Sequence, residues 1–135
     1  ERIGIDIVGP LPPTPNGNRF ILVLTDYFTK WVEAFTILDQ SASMATKCLV
    51  KNFICRFGCP RIIHSDLGKC FESAVFKETL KFFGIGKTRT TPYWPQSNGL
   101  VERTNRTIID VVAKSISKDE DWDQALPYVV MAYRM

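Results

Sequence analysis

Arg19-Phe20-Ile21-Leu22-Val23-Leu24-Thr25 is an unbroken apolar run of strand length. A strand with one wet face alternates apolar and polar side chains, so a run without alternation marks a strand covered on both faces. Upstream, residues 1–8 do alternate: Ile3, Ile5 and Ile7 point one way, and Gly4, Asp6 and Val8 the other. Between the two strands, residues 9–18 hold four prolines and two glycines, which no helix or central strand accommodates. Downstream, a short connection at residues 26–30 leads into a third extended run, Trp31–Ile37. Three strands joined by short connections predict an antiparallel meander.

The pattern then changes. Residues 41–57 carry Ala45, Cys48, Leu49, Phe53 and Phe57 at helical spacing, with Ser41 as N-cap. Gly58 ends this helix and Pro60 prevents its continuation. A short strand at Arg61–His64, a helix at Ser73–Phe83 stopped by Gly84, and a fifth strand at Ile85–Thr90 follow. Residues 91–99 read as a loop. Leu100–Ser117 reads as a long helix packed through Val101, Thr104, Ile108, Val111, Val112 and Ser115, and residues 121–135 as another. The order β-β-β-α-β-α-β-α-α predicts an α/β fold with a mixed sheet flanked by helices.

The 135 residues suffice for one domain with one core. Apolar residues make up 45% and charged residues 23%, the balance of an ordinary globular chain. No apolar stretch is long enough to span a membrane, and no signal peptide is visible. The net charge of +3 is compatible with nucleic acid without arguing for it. Cys48, Cys55, Cys59 and Cys70 form no CxxC pair and His64 is the only histidine, so no zinc site is expected in this segment and the thiols read as reduced. Because the sequence starts inside a strand and stops inside a helix, it reads as a fragment of a longer protein.

Three acids stand out, each with an ordinary alternative. Asp6 sits mid-strand, where Asp is disfavoured. It is either solvated on an edge or buried against a partner or a metal. Asp66 follows an apolar strand directly, where open α/β sheets place their sites, but an Asp before Leu67-Gly68 is also common in turns. Glu102, early in the long helix, also suits the helix dipole. Thirty-five residues lie between Asp66 and Glu102, a spacing that proves nothing alone.

Several motifs then occur in order: Gly4-Ile5-Asp6-Ile7-Val8-Gly9-Pro10; Asp26-Tyr27-Phe28-Thr29-Lys30-Trp31; Phe57-Gly58-Cys59-Pro60; His64-Ser65-Asp66; Thr90-Thr91-Pro92-Tyr93 with Pro95-Gln96-Ser97-Asn98-Gly99; and Gly99-Leu100-Val101-Glu102-Arg103-Thr104-Asn105-Arg106. Over essentially its whole length the chain resembles the catalytic core of retroviral and LTR-retrotransposon integrases, most closely the gypsy type. The resemblance implies an RNase H-like fold and a metal-dependent polynucleotidyl transferase. It makes residues 1–135 a catalytic core, with Asp6, Asp66 and Glu102 as ligands of two Mg²⁺ or Mn²⁺ ions. Hard cations take such oxygen ligands, and a two-metal site can activate both the attacking and the leaving oxygen of a phosphodiester.

Element ends and target DNA are the implied partners, with homo-oligomers, a nuclear site of action and no membrane. Flanking zinc-binding and DNA-binding domains are implied outside the segment. Tyr93 and Gln96 match family positions that contact DNA ends, and the loop's aromatic faces suit stacking. Asn105 and Arg106, three and four residues after Glu102, share its helix face and are expected to point at DNA.

Leu67 and Cys70 depart from the family pattern, which has a polar residue and a larger residue there. A domesticated or inactive DNA-binding scaffold is therefore the alternative. An RNase H-like nuclease fits the residues 91–99 less well, and a two-carboxylate glycosidase would leave one acid without a role.

Overall fold

A computed structural model describes residues 2–89, 103, 105–110, 114 and 122–134. The expected meander forms β1 (Arg2–Val8), β2 (Phe20–Asp26) and β3 (Val32–Ile37), antiparallel throughout. The chain then crosses over so that β4 (Ile62–Ser65) lies parallel to β1, and β5 (Gly86–Arg89) parallel to β4. The order is β3-β2-β1-β4-β5, the mixed five-stranded sheet read from the sequence.

Alternation along β2 explains its unbroken apolar run. Phe20, Leu22 and Leu24 enter one core, with Ile3, Ile5 and Ile63 from neighbouring strands. Ile21 and Val23 enter a second core on the opposite face, with Val8 and Val32. Both faces are therefore covered.

The first core is closed by α1 (Ala42–Cys48), a wider π-helical turn (Leu49–Ile54), α2 (Cys55–Phe57) and α3 (Ala74–Phe82). Ser41 Oγ accepts from Met44 N at 3.2 Å, and Ser73 Oγ from Phe76 N at 3.2 Å, so both helices start on a side-chain cap. After α3, Gly84 takes φ +72°, and Gly84 N and Ile85 N bond back to Lys81 O and Leu80 O, a Schellman ending. The π-helical turn interrupts what reads from sequence as one regular helix. It lets the neighbours Cys48 and Leu49, and then Phe53 and Ile54, all be buried against the sheet.

The second core is closed by the helical residues 105–110, here α4, through Ile108, and by α5 (Trp122–Arg134) through Trp122, Leu126 and Val130. Two clamps seat α5. Trp122 Nε1 donates to Pro12 O at 2.7 Å, tying its start to the Pro-rich turn. At its end Arg134 donates from Nε to Val32 O at 2.7 Å, pairs with the buried carboxylate of Glu33, and stacks 4.1 Å from the Trp31 ring centroid. The turn itself leaves β1 at Gly9, which has φ +140°; a Cβ there would come within 2.6 Å of Phe20 and 2.9 Å of Arg19 O. Among the described residues no helix is long and apolar enough to cross a membrane, and all four cysteines are free thiols.

Candidate active site

β1 and β4 set the site by their register. Arg2 pairs with Ile62, Ile3 with Ile63 and Gly4 with His64. Continued two residues further, the same register brings Asp6 beside Asp66, just past the carboxyl end of β4. Both line one pocket of about 330 Å³ with Ile7, Gln40, Gly68, Lys69, Cys70 and Phe71.

Each carboxylate is held by neutral donors. Asp6 Oδ1 accepts from Ile7 N at 2.8 Å, and Asp6 Oδ2 from Asn105 Nδ2 at 2.6 Å. Asp66 Oδ1 accepts from Gly68 N at 2.8 Å. Gly68 is needed at that position because a Cβ there would stand 2.9 Å from the same oxygen. Behind the loop, Ser65 Oγ donates to Asp66 O at 2.9 Å and accepts from Lys87 Nζ at 3.0 Å.

The electrostatics follow from this crowding. Burial is the largest influence on Asp6, and Asp66 adds to it as a neighbouring negative charge; together they raise its carboxyl from an ordinary 3.8 to about 6, against the opposing bonds from Ile7 and Asn105. Burial also lifts the Cys70 thiol to about 11, with Asp66 and Asp6 contributing. The thiol beside the acids is therefore protonated at neutral pH. His64, buried on β4 between Arg2 and Thr88, is pushed down from its ordinary value by burial and by Arg2 and Lys87.

Residues 1–95 match the family model described as the integrase core domain. The chain belongs to that family. This integrase core is 31% identical over 134 residues to the retrovirus-related Pol polyprotein from transposon 412 of Drosophila melanogaster, covering 98% of the chain and 11% of the relative. It is 38% identical over 133 residues to the Pro-Pol polyprotein of simian foamy virus type 3, with the same two shares. The chain thus spans about a tenth of the length of these curated relatives. Against the crystal structure of the catalytic core domain of BIV integrase the TM-score is 0.76 at 29% identity, over 97% of this chain and 81% of that one. Against a chain of the simian T-cell lymphotropic virus intasome it is 0.81 at 28%, over 96% and 46%. The RNase H-like architecture expected from the motifs is shared with these cores.

Within the integrase core, Asp6 and Asp66 line one pocket. Glu102, Tyr93 and Gln96 lie outside the described residues, as does the loop at 91–99. Among the described residues no third His, Cys, Asp or Glu completes a metal-binding group. Asn105, expected to face DNA, is 9% exposed, and its amide nitrogen is spent on Asp6. Arg106 is exposed. Leu67 is exposed, and Cys70 is half-buried against the first core as well as the pocket. Gln40, in the pocket, and Lys87, behind Asp66 through Ser65, also belong to the site; nothing local in the sequence marks them, because they reach it only through the sheet and the crossover.

Proposed function

We propose that this integrase core performs DNA integration, trimming the 3′ ends of element DNA and joining them to target DNA. The observation that carries this reading is the juxtaposition of Asp6, within β1, and Asp66, just past the carboxyl end of the parallel β4, with the Asp6 carboxyl raised by burial and by Asp66. Two carboxylates forced together in a partly buried pocket, held only by neutral donors, offer hard oxygen ligands that suit a divalent cation.

Asp6 and Asp66, with Glu102, would hold two Mg²⁺ or Mn²⁺ ions, which when bound supply positive charge to the scissile phosphate and to the attacking and leaving oxygens. The rest falls to the chain's own side chains. Ile7 N and Gly68 N each fix one oxygen of a carboxylate, and Asn105 sets the rotamer of Asp6. Ser65 and Lys87 hold the main chain at Asp66 from behind. With the acids immobile, little reorganisation is left to the reaction itself. A water occupying the attacking position gives end trimming, and a DNA 3′-OH in the same position gives joining.

The remaining parts of the reading accompany this chemistry. The chain works as the catalytic core of a longer Pol-type polyprotein, as a homo-oligomer because two DNA ends are joined in concert, and in the nucleus where the target DNA lies.

Mg²⁺- or Mn²⁺-dependent nicking and joining of a short DNA duplex tests it, with Asp66→Asn as comparison. Wild type should cut and join while the variant does neither. Identical behaviour of the two would replace catalysis with the scaffold reading, in which DNA is bound and left intact.

A further inference from the structure

Beside the carboxylate pocket lies a second groove, of about 530 Å³, lined by Glu72, Lys77, Lys81, Lys87, Thr88 and Arg89 over a floor of Leu80 and Ile85. The two are contiguous along the chain: Gly68, Lys69, Cys70 and Phe71 line the first, and Glu72 opens the second. Its charges come from two elements. Lys77 and Lys81 are one turn apart on α3 and share a face. Lys87 and Arg89 are two apart on β5, one of the two edge strands of the sheet, and so project to one side of it.

Glu72 is the single acid among these lining residues. Its carboxylate takes Arg89 Nη1 at 2.6 Å, Lys87 Nζ at 3.0 Å and Lys77 Nζ at 3.9 Å. Those three cations hold its carboxyl below the usual range, with Arg89 the largest influence. Glu78 also lies on α3, but next to Lys77 in sequence and so about 100° round the helix from it. One carboxylate cannot neutralise four cations, and Lys81 and Arg89 stay exposed. Glu72 therefore acts as a peg that keeps Lys87 and Arg89 extended and leaves a surplus of positive charge in the groove.

We infer that this groove is a phosphate-binding track for the DNA backbone, continuing the path of a strand whose scissile phosphate sits at Asp6 and Asp66. The occupant rests on the integration reading; the surface itself does not. A guanidinium beside three ammonium groups matches the oxygens of successive phosphates, a contact that carries no sequence information.

The test separates the track from catalysis. A labelled duplex of arbitrary sequence is titrated by fluorescence anisotropy with the 135-residue chain in EDTA, across a salt series. Each phosphate contact contributes about 0.9 to the slope of log affinity against log salt. The double variant Lys81→Ala/Arg89→Ala should therefore show a slope smaller by about 1.8, and wild type should lose roughly tenfold more affinity than the variant between about 50 and about 200 mM salt. Glu72→Gln removes the competing carboxylate and should tighten binding.

An unchanged slope in the double variant overturns the track, as does wild type that binds no duplex, or weaker binding by Glu72→Gln. Preferential, variant-sensitive binding of polyglutamate over DNA would also overturn it, making the groove a seat for an acidic protein segment. Asp66→Asn should keep the wild-type slope. Wild type that does not nick but shows the slope difference from the double variant would count against the catalytic reading alone, and wild type that nicks without that slope difference against the track alone.

Discussion

Asp6→Asn is expected to stabilise the metal-free protein at pH 7.5, although it removes a residue central to the site. The folded carboxyl is raised from 3.8 to about 6, somewhat over two pK units, and each unit corresponds to about 1.36 kcal/mol. An acid with a raised folded pKa holds its proton more tightly in the fold than in the unfolded chain. Its contribution is fully present below about pH 4 and is lost as pH climbs through about 6. Above that, wild type carries a penalty of about 3 kcal/mol for an ionised carboxylate that is largely buried and faces Asp66.

Asn has the same shape without the charge. Its oxygen can still accept from Ile7 N, and a flipped Asn105 amide would turn its buried Oδ1, which has no hydrogen-bond partner, toward the new NH₂ group. Urea unfolding in EDTA should therefore give near-equal stabilities at pH 4 and a gap of about 3 kcal/mol in favour of the variant at pH 7.5. Saturating Mn²⁺ should narrow that gap, because ligand at a hundred times Kd stabilises wild type by about 2.7 kcal/mol and finds an incomplete site in the variant. A gap of zero at pH 7.5, or one of equal size at both pH values, would refute the reasoning.

Asn105→Ala removes a hydrogen bond that favours the ionised form of Asp6, so the pH midpoint of Mn²⁺ binding should move upward; a Mn²⁺ titration from pH 5 to 8 reads this, and an unmoved midpoint would deny the bond a role. Gly68→Ala places a methyl against Asp66 Oδ1 and should weaken Mn²⁺ binding at least tenfold while far-UV circular dichroism stays unchanged, as expected for a supporting contact. Arg134→Ala strands the largely buried Glu33 carboxylate and should cost about 3–5 kcal/mol in urea unfolding, with much of the loss recovered when Glu33→Gln is added. Phe76→Ala empties a fully buried position packed edge-on against Phe71, 5.3 Å between ring centroids, and should cost about 3–5 kcal/mol by the same assay.

Much of the architecture was legible because it is written in local terms. The Phe20–Leu24 run required two covering layers, and both cores use it. Ser41, Ser73 and Gly84 mark helix ends through backbone groups that must be satisfied nearby. The π-helical turn was not legible, because adjacent apolar pairs such as Cys48-Leu49 and Phe53-Ile54 fit a regular helix equally well.

The site divides along the same line. Asp66 could be placed by the strand that precedes it, and Asp6 by the motif around it. The inward turn of Asn105 could not be read, since helical phase places it on the face of Glu102 without saying whether that face meets DNA or β1. The grip of Glu72 on Lys87 and Arg89 needs the crossover to bring β5 beside the segment following β4, and no spacing along the chain announces it.

The pairing of β1 with β4 also has a bearing on timing. Hairpins close early because their partners are near in sequence, whereas a parallel pair must first enclose the whole intervening chain and comes late. The two acids adjoin only through that parallel pair. A chain still emerging from synthesis, or caught half folded, therefore has its acids apart. The pocket the two acids share exists only once that long-range pairing is made.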